Sequence, residues 1–225
     1  MKMPMKALFL AIILASSMGG FAADTCSVAP PSGSQLAIVE FEDLQCPRCA
    51  AVTTTVHDAA RIYKIPLVRY DFPLAIHNWS KQASIIGKYF DHLSAQPGAK
   101  DKNLGDEYRA YIFANQPAIT PDGLRAYAET FAKSKGVTLP ATVDPKGEFE
   151  KEVNLSYACG VSNRIQHTPT IYLVKNDGSA PVEVQDIDKL YATIDTMLPK
   201  TKTAPKSASA TPKKKTVAKK SVAQK

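Results

Sequence analysis

The run Leu36-Ala37-Ile38-Val39-Glu40-Phe41 is followed, after a short polar step, by Cys46-Pro47-Arg48-Cys49. A short, nearly continuous apolar run reads as a strand buried on both faces. From Cys46 onward, Val52, Val56, Ala59 or Ala60 and Tyr63 recur at three- and four-residue steps, which predicts a helix. Pro47 suits its first turn, where the missing N–H has no partner to lose. The two cysteines therefore sit where a strand hands over to a helix, and in that setting a CxxC pair is more often a redox dithiol than a staple. An inert structural disulfide is one alternative. A metal site is another, but the chain lacks a second ligand pair at zinc spacing.

The remaining pattern says what surrounds that pair. Ile65 to Asp71 is a second strand, opening a parallel strand–helix–strand arrangement. Ser80 is placed to cap a helix carrying Ile85, Ile86, Tyr89, Phe90 and Leu93, which Pro97-Gly98 breaks. Leu104, Tyr108, Tyr111 and Ile112 mark a second helix, closed by Gln116-Pro117. Thr120-Pro121 reads as a cap and first helical residue, with Leu124, Tyr127 and Phe131 as the buried stripe ending at Gly136. Asp144-Pro145 repeats that signal before Phe149, Val153 and Tyr157, a helix running towards Gly160. Thr170 to Val174 is a strand, Asn176-Asp177-Gly178 a tight turn, Val182 to Val184 the hairpin partner, and Ile187 to Leu198 a closing helix. This order predicts an α/β chain: a thioredoxin fold, residues 36–198, interrupted by a helical insertion at about 76–164.

The ends differ in kind. Residues 1–22 read as a cleaved signal peptide, with Lys2 and Lys6, an apolar Ala7 to Ala15 and small residues around Gly20-Phe21-Ala22. The apolar core is too short to span a bilayer comfortably. Export, periplasmic or otherwise, implies an oxidising compartment in which a CxxC can be held as a disulfide. Residues 23–35 are a polar lead-in. The formal charge of +7 comes from the two ends, nine lysines and no acid in residues 199–225 with Lys2 and Lys6 at the start; Asp24 to Leu198 carries 17 basic and 21 acidic residues, near −4. A lysine-rich tail without aromatic residues should be disordered. It is either a plain solvated tail or an electrostatic contact to an anionic envelope surface; nucleic acid is not an expected partner of an exported chain. Cys26 and Cys159 are left over. They form a second disulfide tying the lead-in to the fourth helix, or Cys159 is a buried free thiol.

Four stretches together, Val39-Glu40-Phe41 through Cys49, Asp71-Phe72-Pro73-Leu74 with His77, the helical block, and Thr168-Pro169-Thr170, make the chain resemble the DsbA-like exported thiol:disulfide oxidoreductases of the thioredoxin superfamily. The resemblance implies that Cys46 is the nucleophile and Cys49 the resolving thiol. A helix N-terminus lowers a thiol pKa, and Arg48 should push the same way. It further implies that Thr168-Pro169 is a cis-proline loop facing the dithiol, with Thr168 helping to set substrate affinity and redox poise. Glu40 matches the family's buried acid, a proton partner for Cys49, although alternation puts Glu42 on the same face. His167 departs from the family's usual glycine: it is a surface turn residue, or it tunes the thiolate. His77 is structural or lies beside the groove; His57 and His92 are expected on solvated helix faces. The implied function is donation of the Cys46–Cys49 disulfide to cysteine-containing secreted proteins, by a monomer reoxidised by a quinone-linked membrane partner of the DsbB or VKOR type. No cofactor and no metal are expected. A reductase or isomerase of the same fold, and a non-catalytic envelope-binding module, are the alternatives.

Overall fold

The computed structural model describes residue 26 and residues 28–198. The expected signal peptide and lysine-rich tail lie outside the described residues. In chain order the elements are β1 (Leu36–Glu42), α1 (Pro47–Tyr63), β2 (Leu67–Asp71), α2 (Ser80–Ala95), α3 (Leu104–Asn115), α4 (Leu124–Ser134), α5 (Glu148–Ser162), β3 (Thr170–Lys175), β4 (Val182–Glu183) and α6 (Leu190–Met197). The sheet order is β2-β1-β3-β4, with β1 parallel to β2 and antiparallel to β3, and with β3–β4 a hairpin.

Every residue of β1 is buried, because both faces of this central strand are covered. Leu36 and Ile38 pack with Val56, Ala59, Leu190 and Ile194 under α1 and α6. Val39 and Phe41 turn the other way, onto Phe72, Cys159 and Ile165 beside α5. That second contact is close. A Cβ on Gly160 would stand 2.3 Å from the Phe72 ring, which is itself stacked on Tyr157 at 4.8 Å. A third core, formed by Trp79, Ile86, Phe90, Leu104, Tyr108, Ile112 and Phe131 of the helical block, includes Cys46 and Cys49. The dithiol therefore lies where the inserted helices meet the end of the sheet.

Three local expectations change. Ser80 does not cap α2; Trp79 is the N-cap, and the fully buried Ser80 hydroxyl donates to Asp43 Oδ1 at 2.5 Å. The two cap-proline signals build turns ahead of their helices. Thr120 Oγ1 accepts from Gly123 N–H at 3.0 Å and α4 starts at Leu124, while α5 starts at Glu148, where Asp144 Oδ2 accepts from Glu150 N–H at 2.7 Å. In both cases the polar cap satisfies backbone donors, but a turn intervenes before the first helical residue.

Candidate active site

Cys46 is the N-cap residue of α1, with extended backbone (φ −80°, ψ 118°), and Pro47 opens the helix behind it. Its own N–H donates to Asp43 O at 3.0 Å, which fixes the turn leaving β1. Both thiols are free; Cys46 is 5% exposed and Cys49 fully buried. The two sulfurs sit in opposite electrostatic surroundings. Cys46 is lowered from the ordinary thiol value of 9.0 to about 5, chiefly by a hydrogen bond from Cys49, against the cost of burial, with the Thr168 hydroxyl and the N–H groups of Cys49 and Arg48 acting in the same sense on the thiolate. Cys49 is pushed up, first by burial, then by its hydrogen bond to Cys46 and the Cys46 charge, with Glu40 adding to the rise. The proton therefore stays on Cys49 and the charge on Cys46. Arg48 is exposed, and its N–H at the helix end bears on the sulfur.

The Thr168–Pro169 peptide bond is cis. It brings Thr168 O to 3.3 Å from Cys46 Sγ, which donates to it as a thiol. Thr168 is buried, and its hydroxyl has no hydrogen-bond partner in this neutral arrangement, which leaves it for the thiolate. Pro169 is half-buried behind it. His167 is exposed and faces away: its ring lies 3.4 Å from Thr170 Oγ1 and 4.0 Å from Glu183.

Asp43 is the residue that sequence reasoning missed. Fully buried, it accepts from Gln45 N–H, Leu74 N–H and His77 Nδ1, each at 2.7 Å, and from Ser80 Oγ. Gln45 adds a bond from Trp79 N–H at 2.9 Å. The turn before Cys46 is thus pinned to the 74–80 segment, and His77 is part of that pin. The available signal was an acid placed directly after an apolar strand, in a turn whose N–H groups need an acceptor.

Glu40 and Glu42, on the same face of β1, are both buried. Glu40 is raised to about 8 by burial, then by the Glu42 charge. Glu42 is raised by burial too, but Arg69 and Arg109 oppose the rise. His57 is half-buried rather than solvated; its ring lies 3.2 Å from Arg69 Nη1, and burial with that neighbouring charge lowers its pKa. His92 is exposed and pairs with Glu152 at 2.7 Å. Cys26 and Cys159 are joined by a disulfide across 133 residues of sequence, with Asn163 Nδ2 donating to Cys159 O at 2.9 Å. Among the described residues, no group of three His, Cys, Asp or Glu side chains is placed to hold a metal ion, and no helix is long and apolar enough to cross a membrane.

No family model and no curated protein matches the chain. Solved structures do. DsbA2 of Pseudomonas aeruginosa aligns over 76% of this chain and 92% of its own, with TM-score 0.52 and 17% identity. The thiol-disulfide exchange protein alpha-DsbA2 of Wolbachia pipientis aligns over 76% and 86%, with TM-score 0.58 and 16% identity. Oxidised BdbD of Bacillus subtilis aligns over 75% and 90%, with TM-score 0.53 and 18% identity. Sheet order, the four helices between β2 and β3 and these likenesses together give the chain the DsbA-like thioredoxin fold with an inserted helical domain.

Proposed function

We propose that the protein is a thiol:disulfide oxidoreductase that donates its Cys46–Cys49 disulfide to cysteine-containing exported proteins. The observation that carries this reading is Cys46 at the N-cap of α1, lowered to about 5 and set 3.3 Å from the carbonyl of a cis Thr168–Pro169 bond. The substrate thiolate attacks Cys46 Sγ, the Cys46–Cys49 bond breaks, and its electron pair leaves on Cys49. The protonated Glu40 carboxyl supplies the proton that Cys49, with its raised pKa, takes up. The substrate's second thiolate then attacks its own sulfur in the mixed disulfide and releases Cys46 as a stable thiolate. Cys46 and Cys49 are the catalytic residues. Thr168 and Pro169 form the face met by the substrate strand, and Pro47 and Arg48 set the helix end; Cys26–Cys159 is a separate structural disulfide. In this reading the protein works as an exported, periplasmic monomer reoxidised by a quinone-linked membrane partner of the DsbB or VKOR type. A Cys49→Ala variant, lacking the resolving thiol, should accumulate mixed disulfides with substrate proteins through Cys46. Absence of any Cys46-linked adduct, or a reduction potential near the roughly −270 mV of thioredoxin, would remove the donor reading.

A further inference from the structure

The two buried acids of β1 divide their surroundings unequally. Glu40 and Glu42 lie on one face of the strand, and the parallel register sets Arg69 opposite Glu40 and Asp71 opposite Glu42. Yet Arg69 directs Nε to 3.6 Å from Glu42 Oε1. Arg109, entering from α3, brings its own Nε to 3.2 Å from the same oxygen. Glu42 Oε1 makes no hydrogen bond either, so the difference between the acids is one of ion pairing: neither oxygen of Glu40 has a hydrogen-bond partner, while Glu42 Oε1 stands within ion-pair distance of both guanidinium groups. Glu42 is thus faced by Arg69 and Asp71 of β2, Arg109 of α3, Lys88 of α2 and Glu40 on its own strand. Behind these, Asp91 holds Arg109 through two hydrogen bonds at 3.0 and 2.9 Å, Lys88 pairs with Asp71 at 3.1 Å, and Asp106 and His57 meet Arg69. Two carboxylates sharing a dry site do not both ionise, and the one holding the cations keeps the charge.

We propose that Glu42 is a positioning residue for the proton step at Cys49: by drawing Arg69 and Arg109 to itself, it keeps the single proton of the pair on Glu40, from which the departing Cys49 sulfur receives it. The inference rests on the donor reading above. When the Cys46–Cys49 bond breaks, the electron pair and the Glu40 proton both go to Cys49, and Glu40 is left as a carboxylate beside Glu42. That double charge is unfavourable in a buried site, so a solvent proton returns to Glu40 and the pair is reset. Burial and the Glu42 charge act on Glu40 in the same sense and outweigh the opposing pull of Arg69, towards retention of the proton up to about pH 8. Because Arg109 belongs to α3, the inserted helices take part in holding that proton.

The test is single-turnover reduction of the oxidised protein by a dithiol peptide, followed across pH and corrected for peptide thiolate. The wild type should lose rate through a limb with its midpoint at about 8. In Glu42→Gln, which removes the repulsion and frees Arg69, the midpoint should fall by about one unit or more. In Glu40→Gln the limb should vanish, and Glu40→Gln/Glu42→Gln should behave as Glu40→Gln alone. A Glu42→Gln midpoint that stays in place, or a limb that survives in the double variant, overturns the proposal. Carboxyl NMR of the oxidised wild type is an independent readout should a variant fail to fold: one of the two glutamates should titrate at about 8 and lose its proton after the other, and two independent titrations at ordinary values overturn it. A wild type that reduces no disulfide and oxidises no dithiol peptide refutes the donor reading itself, a different result from either.

Discussion

Replacing Thr168 by valine removes one hydrogen-bond donor from Cys46 and almost nothing else. The hydroxyl is buried and has no hydrogen-bond partner while Cys46 is a thiol, so it is free to turn to the thiolate and its loss leaves no orphan behind. A hydrogen bond to a charged group contributes roughly 1.5–3 kcal/mol, and 1.36 kcal/mol corresponds to one pKa unit, so the Cys46 pKa should rise by about 1–2 units. Starting from about 5, it should reach about 6 to 7. At about pH 5.5 the thiolate fraction should drop from about three-quarters to about a quarter or less. Arg48→Ala should leave the titration in place within about half a unit, since the backbone N–H survives the change. Thiolate ultraviolet absorbance of the reduced protein, titrated beside the rate of Cys46 alkylation, measures both variants. The reasoning is refuted if Thr168→Val titrates with the wild type, or if Arg48→Ala moves the curve as far as Thr168→Val does.

Further outcomes are expected. The folded Cys46 pKa of about 5 lies below the ordinary 9.0, so this group stabilises the reduced fold fully above pH 9.0 and loses its contribution as pH falls through about 5. The disulfide form has no such group; the melting temperature of the reduced relative to the oxidised protein should therefore climb with pH across that window, and a flat difference would contradict the assignment. Gly160→Ala drives a methyl into the Phe72 ring and should destabilise both redox forms by about 1–3 kcal/mol in denaturant unfolding, without moving the Cys46 titration. Asp43→Ala strands the N–H groups of Gln45 and Leu74 and should cost roughly 3 kcal/mol, with faster amide exchange at both positions; unchanged exchange there would show that the pin is not what holds the segment.

What was legible in the sequence followed from periodicity and punctuation. Leu36–Phe41 had to be a doubly buried strand, and Pro47 had to mark a helix start, so the placement of Cys46 at a helix end needed no coordinates. The order of elements around it gave the fold for the same reason. Other features turned on which of two like residues took a partner. Alternation put Glu40 and Glu42 on one face but could not say that two arginines, one from β2 and one from α3, would both gather at Glu42. Ser80 carried the composition of a cap, yet a buried carboxylate thirty-seven residues earlier competes for its hydroxyl. Arg48 carried a charge of the right sign, but the residue is exposed, and its N–H also bears on the sulfur. Long-range polar pairing has no period in the chain, and that is where sequence reasoning gave out.

The separation of the two thiols follows from where three cores end. Cys46 closes the turn from β1 and stands at the edge of the helical core, where helix N–H groups and the Thr168 hydroxyl converge on one sulfur. Cys49, one helical turn deeper, lies fully buried inside that same core, where the Glu40 charge on β1 adds to the rise in its pKa. One turn of helix is therefore enough to place a stable anion and a reluctant one side by side. A thiol pair in a uniform environment would titrate with nearly equal affinities, and neither sulfur would be the defined leaving group. In the proposed exchange the substrate's leaving group is Cys46, the easier anion, and Cys49 leaves only with a proton at hand. The buried ion network fits that requirement: it sets both guanidinium groups against Glu42, while at Glu40, the acid whose charge bears on Cys49, burial and the Glu42 charge outweigh the pull of Arg69.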